Sequence, residues 1–144
     1  MGCGSSKVPN DLNYAKSIID GRYGEIEKVY IGKNDFADFV FDHRFIFVDV
    51  EECDHYKIYE WTKSGLKMFA SRLYPIKEEV YIGASYVRVV YRLAKDISEG
   101  KSFSLVSFNC KDWVEKFYEK FGTYKVLDFV AINLEKIFKG ILNN

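Results

Sequence analysis

The chain has 144 residues, 48% of them apolar and 17% aromatic, which is enough to close one hydrophobic core and short for two. Its 21 Lys and Arg balance 21 Asp and Glu, so there is no basic field to hold a phosphate backbone and nucleic acid is excluded as a partner. Three cysteines, Cys3, Cys53 and Cys110, show no CxxC pair and follow no signal peptide, which fits a reducing compartment without a disulfide framework.

The chain opens Met1-Gly2-Cys3-Gly4-Ser5-Ser6-Lys7. This matches the N-myristoylation pattern, with Gly2 as acceptor and Ser6 at the diagnostic position. One myristoyl chain holds a membrane only marginally, so palmitoylation of Cys3 would supply the second signal that stable anchoring needs. Residues 1–10 are therefore expected to form a flexible, lipidated tail, and residues 11–144 a single domain. No apolar run approaches the roughly 20 residues of a spanning helix, so the expected membrane contact is peripheral, on the cytoplasmic leaflet.

Leu12, Ala15, Ile18 and Ile19 recur at helical spacing, predicting a short helix that Gly21 and Gly24 break. The stretches 25–41 and 43–50 read as β structure, and Glu51 to Asp54 suits a hairpin turn before a strand over Tyr56 to Thr62. Leu66 to Tyr74 is ambiguous, and Val80 to Leu93 is expected to be one long strand. Val-Tyr-Ile-Gly occurs twice, at Val29 to Gly32 and Val80 to Gly83; two strands of one sheet, each with a glycine permitting a bulge or a close approach, account for it. Trp113, Val114, Phe117 and Phe121 mark a helix from Cys110 to Phe121, with Gly122 as its C-terminal cap. A second amphipathic segment over Val126 to Leu142 is expected to pack on the domain, with a lipid surface as the alternative.

With only two histidines, any imidazole mechanism must use His43 or His55. Cys-x-His at Cys53 and His55 lacks a second pair and hence zinc-site spacing, and no metal or other cofactor is called for. Cys110 sits at a predicted helix start, where unpaired amides and the helix dipole favour a nucleophilic sulfur. His43 starts a strand, from which an imidazole can meet a helix packed across the sheet, giving a candidate nucleophile and base. Taken singly, each residue is also an ordinary core or strand-end group. A third group to orient the ring comes from the returning strand. If paired residue numbers in the hairpin have an odd sum, Glu60 shares a face with His43; an even sum selects Tyr59 instead. Glu60 is the chosen candidate, and the Cys110 amide is one oxyanion donor, with a second donor unassigned.

The segment Phe103-Ser104-Leu105-Val106-Ser107-Phe108-Asn109-Cys110-Lys111-Asp112-Trp113-Val114 resembles the Asn-Cys helix start of the permuted papain-like thiol enzymes of the NlpC/P60 superfamily. These include lecithin:retinol acyltransferase-like and PPPDE-like proteins. His43 to Val48, followed by Tyr56 to Trp61, is similar to their His-bearing strand pair, and the resemblance spans roughly His43 to Gly122. It implies an α+β fold, a small antiparallel sheet packed against a Cys-bearing helix, with Cys110 as nucleophile and His43 as base. The implied activity is a membrane-tethered cysteine hydrolase or acyltransferase acting on a lipid ester or a protein amide or isopeptide conjugate. The rival expectation is a lipid-anchored, non-catalytic interaction module on the same fold.

Overall fold

The computed structural model describes residues 26–35, 42–49 and 56–142. The lipidation signature at Gly2 and Cys3, the helix expected at Leu12 to Ile19, and the Cys53 and His55 turn lie outside the described residues.

Five antiparallel strands form one sheet, β1 (Ile26–Asn34), β2 (His43–Asp49), β3 (Tyr56–Thr62), β4 (Gly65–Ser71) and β5 (Glu78–Tyr86), in the order β4-β3-β2-β1-β5. Two helices follow, α1 (Val87–Ser98) and α2 (Cys110–Leu142). The protein is thus α+β, with the Cys-bearing helix against an antiparallel sheet.

Alternation along the strands gives the sheet two apolar faces. Val29, Ile46, Val48, Tyr59 and Trp61 face the helices, where they meet Val90, Leu93 and Ala94 of α1 and Trp113, Phe117 and Phe121 of α2. On the other face Phe45, Phe47 and Ile58 are buried beneath Tyr30, Tyr56, Phe69 and Tyr74. Phe45 meets Tyr74 edge-on at 4.9 Å between ring centroids, and Tyr30 stacks on Phe47 at the same distance.

The two Val-Tyr-Ile-Gly copies are neighbours in β1 and β5, pairing Tyr30 with Tyr81. Each glycine meets a different need. Gly83 has φ of 133° next to a register shift, a backbone state that side chains disfavour. Gly32 lets the Phe45 ring come so close that a Cβ there would lie 2.5 Å from its Cε2.

Three expectations are corrected. The long strand over Val80 to Leu93 ends at Tyr86 and continues as α1. Val87, Val90, Leu93, Ala94 and Ile97 recur at three- and four-residue steps and are all buried, so helical burial overrides the strand preference of the β-branched residues. Gly122 does not cap a helix. It lies inside the 33-residue α2, with open space around it, and its cost of about 1 kcal/mol is too small to stop propagation. The segment from Val126 onward meets the domain through Asp128, buried against Arg88, but its apolar residues do not pack there: Leu127, Phe129, Leu134, Ile137 and Phe138 are all more than half exposed.

Candidate functional site

The hairpin of β2 and β3 sets the site. Phe47 pairs with Ile58 and Ile46 with Tyr59, an odd sum of residue numbers, so Glu60 shares a sheet face with His43. Pairing of these strands covers only Ile46–Asp49 against Tyr56–Tyr59, while Glu60, Trp61 and Thr62 continue paired to β4. The strands therefore part beyond Ile46 and open a wedge at the start of β2. Into this wedge α2 directs Cys110.

Cys110 is the first residue of α2, and a reciprocal cap fixes it there. The Asp112 amide donates to Asn109 Oδ1 at 3.0 Å, and the Asn109 amide donates to Asp112 Oδ2 at 3.0 Å. The Cys110 amide thus belongs to the first helical turn, where amides have no intrahelical acceptor. Trp61 Nε1 donates to the Phe108 carbonyl at 3.2 Å and ties the preceding loop to β3.

In the wedge the sulfur lies against the backbone on either side of His43. The Arg44 amide donates to Cys110 Sγ at 3.5 Å, and the thiol faces the Asp42 carbonyl at 4.0 Å. Lys33 holds Asp42 at 2.8 Å and Glu78 at 2.9 Å, joining β1, β5 and the residue before His43, and it keeps the Asp42 carboxyl below its ordinary range.

His43 Nε2 and Glu60 Oε2 are 2.8 Å apart. Burial disfavours the charged imidazole, but hydrogen bonding from Cys110 and from Glu60, together with their charges, outweighs it and raises the pKa from 6.5 to about 9. The ring is thus bonded to the Glu60 carboxylate, while the Cys110 sulfur lies against the backbone on either side of His43. Behind Glu60, Tyr74 donates its hydroxyl to the same Oε2. Burial and the Glu60 charge push that phenol far above its ordinary pKa, so it stays a neutral donor. Asn34, paired with His43 across β1 and β2 and buried, interacts with the Tyr74 hydroxyl and donates its Nδ2 to the Pro75 carbonyl at 2.9 Å. A chain of polar groups, Asn34, Tyr74, Glu60, His43 and Cys110, therefore crosses the start of β2.

The structure brings together Cys110, His43 and Glu60, while Tyr59 turns to the helical face. Asn34 and Tyr74 are absent from the residue reading. Tyr74 follows a segment of ambiguous pattern, and Asn34 joins it only across the sheet; the Tyr-Pro step at Tyr74-Pro75 is the one local signal of a fixed turn. Among the described residues, no group of His, Cys, Asp and Glu has the arrangement of a metal site.

No family model, curated protein or solved structure matches this chain.

Proposed function

We propose that this protein is a cysteine hydrolase or acyltransferase of the permuted papain-like kind, tethered to the cytoplasmic leaflet by acyl chains on Gly2 and Cys3. The observation that carries the reading is the wedge between β2 and β3, where a helix-start thiol and a carboxylate act on one imidazole. A third group on the far nitrogen is what a positioned nucleophile and base require.

In this mechanism His43, whose pKa of about 9 keeps it charged at neutral pH, already holds the proton as an imidazolium, and Cys110 Sγ attacks an acyl carbonyl carbon as the thiolate. The C–S bond forms as the carbonyl π pair moves to oxygen, where the Cys110 amide is a donor. Collapse breaks the C–O or C–N bond, and the imidazolium returns its proton to the departing alcohol or amine. Water or a second acceptor, deprotonated by His43, then releases the thioester. Glu60 keeps the ring aligned, and Tyr74 and Asn34 keep Glu60 in place. A lipid ester and a membrane-bound protein conjugate are the two substrate classes that suit such a tether.

One observation favours a second reading, a lipid-anchored interaction module: Cys110 is 0% and His43 1% exposed, so a carbonyl must displace neighbouring atoms to reach the sulfur. The two readings separate with an acyl-ester and isopeptide substrate panel, read by intact-mass spectrometry for an acyl adduct. The enzyme predicts an adduct on Cys110, absent in Cys110→Ala, and a rate about 10²–10⁴-fold lower in His43→Ala. Turnover retained in Cys110→Ala, or a thiol that reacts only after unfolding, removes the enzyme reading.

A further inference from the structure

Beyond Phe121, Tyr124 still packs on the core and donates its hydroxyl to Asp96 of α1 at 2.6 Å, and one turn further on a buried clamp is the last hold on the domain. Arg88 donates through Nε to Asp128 Oδ1 at 2.9 Å and through Nη2 to Oδ2 at 2.8 Å, a bidentate pair with Asp128 only 6% exposed. Past that clamp the helix carries Val130, Leu134, Ile137, Phe138 and Ile141 at exposures from 46% to 65%. With Leu127 these residues repeat at three- and four-residue steps. At about 100° per residue they fall within one arc of roughly 120°. Lys136 and Lys139 lie on the opposite arc beside the exposed Phe129, with Glu135 paired to Lys139 at 3.1 Å. Since Asp128 is neutralised by Arg88, the outward charge of residues 126–142 is two lysines against one glutamate, a net +1.

We infer that residues 126–142 form a second membrane contact, lying flat in the interface of an anionic leaflet with the Leu127, Val130, Leu134, Ile137 and Ile141 stripe among the acyl chains. Three features select a lipid surface over a protein partner. The apolar arc is broad and carries an aromatic side chain at its edge, and the positions flanking the stripe, Ala131, Asn133 and Gly140, lack the charge pairs that specify a partner helix. The excess charge complements anionic lipid. The chain also starts with an acylation signature, which puts the same surface within reach. A single acyl chain binds reversibly, so a helix of this kind would hold the protein between acylation events.

The contact does not depend on the chemistry of Cys110. It is tested by co-sedimenting the full-length, unacylated chain with vesicles of phosphatidylcholine and phosphatidylserine, beside a Leu134→Glu/Ile137→Glu variant and Cys110→Ala. The expected result is vesicle binding by the native chain, about fivefold weaker on phosphatidylcholine alone. The double variant should lose binding at least tenfold with an unchanged melting temperature, because both side chains are exposed. Cys110→Ala should bind as the native chain does, whatever its turnover. Three results overturn the inference: no binding by the native chain, undiminished binding by the double variant, or a soluble oligomer that the double variant dissolves. A lowered melting temperature in the double variant without vesicle binding likewise overturns it, since the stripe would then be covered by the chain itself.

Discussion

Replacing Glu60 by Gln keeps the side-chain volume and removes the charge that faces His43. The native imidazole titrates at about 9 against 6.5 for the unperturbed group. That difference is worth about 3 kcal/mol of linkage. Because the folded pKa is raised, this stability is fully present below pH 6.5 and is lost as pH rises through about 9. A carboxylate at hydrogen-bonding distance moves its partner by about 1–3 units, so the His43 midpoint should fall to between about 6 and 8 in Glu60→Gln. The chain has only two histidines, so proton–carbon NMR of the imidazoles should give two titration curves, with His55→Gln assigning them. Urea unfolding at about pH 6 and pH 9.5 should show the native protein losing stability over this window and the variant losing less, by about 1–3 kcal/mol. A native His43 midpoint at or below 6.5, or one that Glu60→Gln leaves unchanged, would refute the role given to the carboxylate.

Tyr74→Phe removes the phenol donor to Glu60 without changing the ring packing on Phe45, so it should cost roughly 1.5–3 kcal/mol by urea unfolding and lower the turnover number more than it raises KM. Gly32→Ala places a Cβ 2.5 Å from Phe45 Cε2 and 2.6 Å from Cζ, and that ring is fully buried between His43 and Tyr74; destabilisation of about 1–3 kcal/mol is expected, and a change under about 0.5 kcal/mol would contradict the packing. Asp128→Ala breaks the bidentate clamp on buried Arg88 and should cost about 3 kcal/mol, whereas the double change with Arg88→Met should cost less, as chemical denaturation of both variants would show.

Much of the site is legible in local pattern. The helix start at Cys110 is visible because Trp113, Val114, Phe117 and Phe121 impose a 3.6-residue period immediately after Asn109, and the Asn109 and Asp112 cap is a short-range device. His43 at a strand start follows from the apolar run behind it. The hairpin register is different in kind: one residue of slip exchanges Glu60 for Tyr59, and neither residue's own chemistry decides between them. The pairing of Phe47 with Ile58 decides it, through the burial of aromatic rings on the far face.

The C-terminal half shows where local pattern misleads. Val87, Val89 and Val90 carry strand propensity, yet they form a helix because that conformation buries Val87, Val90, Leu93 and Ala94 against the sheet. Gly122 reads as a helix end, but a helix stops only where its continuation costs more than its hydrogen bonds return. Composition, spacing and capping thus determine which segments are elements and which residues can be nucleophile or base, since those depend on neighbours within a few residues. The meeting of Cys110, His43, Glu60, Tyr74 and Asn34 was decided by tertiary structure alone. It needs two strands to separate and a helix end to enter between them, and that balance of contacts joins residues up to 76 positions apart in the chain.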